Sequence, residues 1–241
     1  RKKYRILDWD SEFFGIKVSR VTQPSLGEET LRDLLVELRG TGVSLVYWPA
    51  GRELRSIVAR RLHGHLVDVK TTFAVNLGSL ELSVLKPRRI VERYSPPMSL
   101  TDLEYLALEA GRYSRFAVDP NIPRERFEAL YRAWIRRSLR KEIAREVLVI
   151  RERDRVVGMI TLGDKSGRGD IGLVAVASDC RGRKYGQTLV RAAQLWFLER
   201  GYASGQVVTQ GKNIPACNLY KKCGFSVDET RYFYHFWLAE S

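Results

Sequence analysis

The feature that most constrains this chain is a β-branched segment that leads through a basic, glycine-containing loop into an amphipathic helix. A strand is predicted over residues 171–176, and it ends at Ser178-Asp179. The loop Arg181-Gly182-Arg183-Lys184-Tyr185-Gly186 follows, and the helix begins within it. Backbone N–H groups in the first helical turn lack intrahelical partners and, with the helix dipole, attract phosphates. The order therefore predicts an α/β unit with a pyrophosphate site.

The charges of this loop favour the same interpretation. Arg181, Arg183 and Lys184 would by default be solvated surface cations, but three cations at a helix N-terminus oppose its dipole unless an anion accompanies them. Gly182 and Gly186 would allow the backbone to approach that anion closely.

The residues after the helix make the pattern more specific. A short strand is predicted over 206–209, followed by Asn213, Ala216, Tyr220 and the pair Gly224-Phe225. Loop and ending together resemble the GNAT superfamily of acetyl-CoA-dependent N-acetyltransferases, whose loop reads Arg/Gln-x-x-Gly-x-Gly/Ala. Arg181 and Gly186 match that loop, whereas Lys184 stands where the family usually has its first glycine.

Three other segments resemble one branch of that superfamily, the TDP-fucosamine acetyltransferase (WecD) type. They are residues 7–15, the triplet Ser114-Arg115-Phe116 and residues 127–135. The resemblance implies transfer of acetyl from acetyl-CoA to the amine of a nucleotide-linked amino sugar. It also implies that the N-terminal domain borders the acceptor cleft, where Arg115 is our candidate to bind the nucleotide diphosphate.

The resemblance also assigns roles around the cofactor. Backbone N–H groups of Leu173, Val174, Ala175 and Val176 would hold the pantetheine arm, and one of them would polarise the thioester carbonyl. The loop residues Arg181 to Gly186, Tyr185 included, would bind the pyrophosphate, and Asn213 would contact the CoA arm. Tyr220 would be the general acid that protonates the departing thiolate.

Plainer alternatives remain open for these residues. Asn213 also suits a helix N-cap or a turn, and Tyr220 also suits packing of the last helix. No general base is evident, since the strand over 172–176 lacks the glutamate that many family members carry, and water or another residue would serve. Two rival functions are acetylation of a protein N-terminus or another small amine, and a non-catalytic acyl-CoA-binding module.

The net charge of +13 indicates anionic partners. The basic cluster over 132–145 shares a helix with an apolar stripe and lacks a nucleic-acid-binding motif, so we expect no nucleic-acid partner. The three cysteines and three histidines show no zinc-ligand spacing, so no metal is expected, and His235 is interpreted as a sheet residue. Without an apolar run of about 18 residues we expect a cytoplasmic protein with no membrane partner. A homodimer is a possible assembly.

The predicted fold class is α/β with a mixed (α+β) sheet. A smaller N-terminal α/β domain over 1–95 precedes a GNAT domain over 96–241, with a Pro-rich, charged linker at 86–97. Helices are predicted around Leu31–Leu38 and over 52–62, 101–110 and 124–140. A β-meander over 147–162 and a last strand over 231–238 complete the prediction.

Overall fold

The computed structural model describes residues 2–80 and 90–238, and its fold is α/β, as predicted. Two compact units are present: unit 1 comprises Arg1–Lys70, Ser114–Arg126 and Thr230–Ser241, and unit 2 comprises Thr71–Tyr113 and Phe127–Glu229. The division into domains at residue 95 stays a prediction. The two compact units interleave along the chain. Of the predicted linker, Lys86-Pro87-Arg88-Arg89 lies outside the described residues.

Unit 1 is a sheet with helices packed on it. From its edge inward, the strands lie in the order β1-β2-β3-β10-β4. β2 and β3 are parallel, whereas β1 and β10 are antiparallel to their partners. The elements are β1 (Tyr4–Ile6), α1 (Asp8–Phe14), β2 (Val18–Val21), α2 (Glu28–Gly40), β3 (Leu45–Ala50), α3 (Ser56–Arg61), the first part of β4 (Gly64–Asn76), α5 (Arg115–Val118) and most of β10 (Ser226–Trp237).

The leucine spacing of α2 determines the core on one face of this sheet. Leu31, Leu34, Leu35 and Leu38 are all buried, at i, i+3, i+4 and i+7, as predicted. They pack in one cluster with the alternate side chains of the sheet, Val46, Trp48, Tyr234 and Phe236. Successive strand residues point to opposite faces, so Tyr47, Phe233 and His235 lie on the other face of the same strands.

Unit 2 contains the predicted meander and the strand–loop–helix–strand segment. Its strand order is β4-β9-β8-β7-β6-β5, with β8 and β9 parallel and the pairs from β5 to β8 antiparallel. The elements are the end of β4, β5 (Val91–Arg93), α4 (Leu100–Gly111), most of α6 (Arg124–Leu139), β6 (Glu146–Glu152), β7 (Arg155–Lys165), β8 (Arg168–Val176), α7 (Tyr185–Leu198), β9 (Ser204–Gln210), α8 (Ile214–Lys222) and the start of β10.

A β-bulge separates the two halves of β8. Ile171 pairs with Leu162 and Val174 pairs with Ile160, so Gly172 and Leu173 together lie opposite Thr161. The ladder between β8 and β9 ends at the pair Ile171 and Val207. Beyond the bulge β8 is therefore paired on one edge only, which leaves main-chain groups on its other edge for a ligand.

Candidate functional site

The predicted phosphate loop lies between β8 and α7 in unit 2. Lys184 precedes the helix with a φ of 63°, a left-handed conformation that glycine favours and that a lysine adopts here. The Thr188 N–H donates to the Lys184 carbonyl at 3.0 Å, which is the first helical hydrogen bond. The N–H groups of Tyr185, Gly186 and Gln187 therefore have no intrahelical acceptor.

Two of the three loop cations are paired with carboxylates. Arg181 Nη2 lies 2.6 Å from Glu109 Oε2, and Arg183 Nη1 lies 2.7 Å from Glu152 Oε1. Lys184 is exposed, and its side chain has no partner among the described residues. A pyrophosphate at this loop would meet the helix N-H groups and Lys184 directly, whereas it would compete with Glu109 and Glu152 for the two arginines.

The β8 amides divide into two sets. The Ala177 N–H donates to the Val157 carbonyl of β7 at 2.8 Å. Because hydrogen bonding alternates along an antiparallel ladder, the main chain of Ala175 also faces β7. The Leu173 N–H donates to Thr161 Oγ1 at 2.7 Å. The main-chain groups of Val174 and Val176 point away from β7, toward the unpaired edge. Of the four amides predicted to bind pantetheine, those of Val174 and Val176 are not used by the pairing with β7, and pantetheine binding stays a prediction.

Gly186 marks the place where β8, α7 and α8 meet. A Cβ atom built on it would lie 3.2 Å from Leu219 Cδ2 and 4.0 Å from Val176 Cγ2. The helix N-terminus, the free strand amides and α8 therefore meet at one corner of unit 2, and Tyr220 follows Leu219 on α8.

Asn213 has its plainer role in this structure: its Oδ1 accepts the Ala216 N–H at 3.2 Å and caps α8. Contact of Asn213 with the CoA arm stays a prediction.

Tyr220 combines a packed ring with an unpaired hydroxyl. The residue is 4% exposed, and its ring contacts Phe73 and Phe225 at centroid distances of 5.9 and 6.1 Å. Within the described part of the chain its hydroxyl has no hydrogen-bond partner, yet it is not one of the polar atoms sealed from solvent. Burial raises the pKa of Tyr220 well above its usual value. The phenol is therefore protonated at neutral pH and able to donate.

Arg115 is the second predicted site residue, and it lies in unit 1. Its guanidinium carbon lies 4.4 Å from the ring centroids of Tyr47 and Phe116 and 4.8 Å from that of Phe233. Its Nε is buried without a hydrogen-bond partner, and no carboxylate of the described residues forms a salt bridge with it. Three rings thus hold a half-buried cation that forms no salt bridge with a described carboxylate, an arrangement that suits an anionic ligand.

Two carboxyl groups share the surroundings of Arg115. Burial raises the pKa of Asp68 to about 7, although Arg115 and Lys70 act to lower it. Burial likewise raises the pKa of Asp10, against the opposing charge of Arg115. One oxygen of Asp68, Oδ1, is sealed from solvent without a partner. Sequence patterns singled out neither residue, because their partners come from distant segments.

Sequence reasoning also missed a buried His–Asp pair. His235 Nδ1 lies 2.6 Å from Asp119 Oδ2, and both side chains are inaccessible to solvent. Burial acts to raise the pKa of Asp119, but hydrogen bonds from His235, the Asn121 backbone and Trp237 lower it below its ordinary value. Burial lowers the pKa of His235 to about 4, despite the hydrogen bond to Asp119. At neutral pH a neutral imidazole therefore donates through Nδ1 to an ionised carboxylate, and its Nε2 has no partner.

The cysteines are not suited to nucleophilic chemistry. Burial raises the pKa of the Cys223 thiol to about 11, and burial also raises the pKa values of Cys180 and Cys217. Within the described ranges, no three His, Cys, Asp or Glu side chains are grouped as metal ligands. Nor does any described helix have the length and apolar character needed to cross a membrane.

Comparison with known proteins relates this architecture to acetyltransferases. Residues 109–225 match the model of the acetyltransferase (GNAT) family. The structure of a GCN5-related N-acetyltransferase from Sphaerobacter thermophilus superposes with a TM-score of 0.60 at 16% identity, over 99% of this chain and 77% of that chain. The predicted GNAT-like fold is thus confirmed.

Two curated relatives share shorter segments. Streptothricin acetyltransferase of Escherichia coli is 39% identical over 54 residues, which are 22% of this chain and 31% of that protein. The spore coat polysaccharide biosynthesis protein SpsD of Bacillus subtilis is 24% identical over 132 residues, or 55% of this chain and 45% of that protein. The matched segments thus span less than half the length of either relative.

Proposed function

We propose that this chain is an acetyl-CoA-dependent N-acetyltransferase whose acceptor is the amine of a nucleotide-linked, TDP-type amino-deoxy sugar. The observation that carries the reaction class is the corner of unit 2 at Gly186. There a helix N-terminus with unpaired N–H groups and a strand edge with two free amides meet α8, the helix that carries Tyr220. Phosphate, amide and thiolate groups of acetyl-CoA each have a matching partner.

The proposed reaction is direct attack of the amine on the thioester. The pyrophosphate lies at the N-terminus of α7, and the pantetheine arm pairs with the free edge of β8 through Val174 and Val176. One of these N–H groups polarises the thioester carbonyl, where negative charge develops as the amine attacks. The C–N bond forms, the C–S bond breaks, and the attacking nitrogen loses one N–H proton to water. Tyr220 donates its proton to the thiolate sulfur and is reprotonated by solvent.

The acceptor is supported by Arg115 and by one relative. A guanidinium without a salt-bridge partner can bind a diphosphate through two parallel hydrogen bonds. SpsD is named for the biosynthesis of a spore coat polysaccharide, which favours a sugar as the acceptor. Streptothricin acetyltransferase matches more closely over a shorter segment, which favours another small amine as the second candidate.

The test is thiol release from acetyl-CoA, measured with the purified chain across a panel of amines. The panel contains TDP- and UDP-linked amino sugars, the unlinked amino sugars, streptothricin and a short peptide with a free N-terminus. We expect turnover that is highest with a nucleotide-linked amino sugar. Faster turnover of an unlinked amine would overturn the acceptor assignment, and binding of acetyl-CoA without turnover of any amine would identify a binding module.

A further inference from the structure

The side chains around Arg115 in unit 1 contain most of the buried polar atoms that lack a partner. Among the described residues five such side-chain atoms are found, and four of them are Tyr47 Oη, Asp68 Oδ1, Arg115 Nε and His235 Nε2. A buried polar group without a hydrogen bond destabilises the fold, so a group of them points to a missing partner.

Tyr47 and His235 belong to one face of the unit 1 sheet. Lys70 Nζ lies 5.5 Å from the ring centroid of Phe233 on that face, and Asp68 is two positions before Lys70 in β4. Arg20, Tyr47 and His235 occupy paired positions on β2, β3 and β10, which places them in one row across the strands. The rings of Tyr47 and His235 stack at 4.7 Å, and the Arg115 guanidinium covers the Tyr47 ring. Tyr47 and His235 are fully buried, whereas Arg115 and Asp68 are only partly buried. A ligand would therefore meet Arg115 and Asp68 first.

The charges of Arg115, Asp68 and Asp10 are of both signs. The fields of Arg115 and Lys70 both act on Asp68, and that of Arg115 also acts on Asp10. No salt bridge within 4.0 Å joins Arg115 to either carboxyl among the described residues. Charges of both signs on a half-buried surface suit a ligand that also carries both signs.

We propose that Asp68 binds the amine of the acceptor while Arg115 binds its anionic group, and that Asp68 accepts the proton the amine must lose. This deepens the proposed function, on which it rests, and it supplies the missing base. In the step, an N–H bond of the ammonium group breaks, an O–H bond forms on the Asp68 carboxylate, and the nitrogen lone pair becomes free to attack. A carboxyl group whose pKa lies near neutrality is suited to that exchange at neutral pH.

The experiment is titration calorimetry at pH 7 on the full chain without acetyl-CoA. Its probes are TDP, a TDP-linked amino-deoxy sugar, the same TDP-sugar with a hydroxyl in place of the amine, and glycine. Asp68→Asn is the test variant, because it keeps the size of the side chain. Asp33→Asn is the matched control, since Asp33 is exposed on α2, the helix that packs on the opposite face of the sheet.

We expect the wild-type chain to prefer the amino sugar over its hydroxyl analogue by about 10- to 100-fold, the usual effect of one charge-assisted hydrogen bond. Asp68→Asn should abolish that preference and leave TDP affinity within about twofold, and Asp33→Asn should change neither. In turnover assays Asp68→Asn should lower kcat with the amino sugar, while its acetyl-CoA affinity stays that of the wild type.

Two outcomes would overturn the inference without touching the proposed reaction class: an amine preference that survives Asp68→Asn, or glycine binding as tightly as the amino sugar. If acetyl-CoA binds but neither TDP nor either TDP-sugar does, the acceptor class of the proposed function fails as well. Acetyl-CoA binding is measured separately, so the two failures are distinguishable.

Discussion

His235 Nδ1 lies 2.6 Å from Asp119 Oδ2, although 116 residues separate the two in the sequence. Asp119 also accepts hydrogen bonds from the Trp237 indole at 3.0 Å and the Asn121 N–H at 3.0 Å. The short helix α5, which carries Arg115, leads directly into Asp119. The pair therefore ties this segment to β10 within unit 1, and it holds α5 where Arg115 covers the Tyr47 ring.

The pair of His235 and Asp119 predicts that the stability of the fold depends on pH. The pKa of His235 is about 4 in the folded protein, against about 6.5 when unfolded. The unfolded chain thus binds more protons between these values, and stability is lost as the pH falls from about 7 to 4, by on the order of 3 kcal/mol. The lowered pKa of Asp119 adds a loss that begins only below the unfolded pKa of about 4.

His235→Asn should remove most of the loss between pH 7 and 4, because an asparagine N–H can still donate to Asp119 but does not titrate. Urea unfolding at several pH values measures the slope of the free energy of unfolding against pH. His63→Asn is the control, since His63 is exposed in the same unit. An unchanged slope in His235→Asn would show that other groups produce the pH dependence.

Local patterns were enough to predict the loop and its flanking elements. The leucine spacing predicts α2, the β-branched run predicts β8, and α7 begins inside the predicted loop. Each of these elements depends on neighbours within a few residues. Local sequence does not predict the bulge at Thr161. The Leu173 N–H, which the sequence predicts to bind pantetheine, donates to Thr161 Oγ1 within the sheet. The stacking of Arg115 on Tyr47 and Phe233 joins three segments that are distant in the sequence. The periodicity of the sequence therefore does not predict it.

The compact units are interleaved for a similar reason. Antiparallel pairing of β10 with β3 returns the end of the chain to unit 1, and the hydrophobic alternation of a strand does not identify its partner. The sequence therefore predicts the order of the elements better than their assignment to units.

Substitutions at Gly186 test the phosphate site. In Gly186→Asp a carboxylate would lie beside the pyrophosphate, and its repulsion should reduce acetyl-CoA affinity below detection by calorimetry. Gly186→Ala is the matched control for packing, because its Cβ meets only the flexible end of Leu219 at 3.2 Å. The alanine variant should bind within about tenfold of wild type. Equal affinities of a folded Asp variant and the wild type would place the phosphates elsewhere.

Arg115 should determine acceptor affinity rather than cofactor affinity. Arg115→Ala should raise the KM for the nucleotide sugar by about 10- to 100-fold and leave that for acetyl-CoA nearly unchanged, because one charged bidentate contact is lost. Arg115→Lys keeps the charge without the planar fork, so its KM should lie between those of the wild type and the alanine variant. Arg60→Ala, at an exposed arginine of unit 1, is the control. Parallel changes in both KM values would indicate a structural role for Arg115.

Tyr220 is predicted to be the general acid, and Tyr220→Phe removes only the hydroxyl. The ring contacts with Phe73 and Phe225 remain, and no described residue loses a hydrogen bond, so the variant should fold and bind acetyl-CoA like the wild type. Its kcat should fall by about 10²- to 10⁴-fold, the range that general-acid catalysis contributes. Tyr202→Phe, in the same unit, should leave kcat unchanged. If a folded Tyr220→Phe enzyme kept most of its kcat, the thiolate would take its proton from water or another hydroxyl, and Tyr220 would be a packing residue alone.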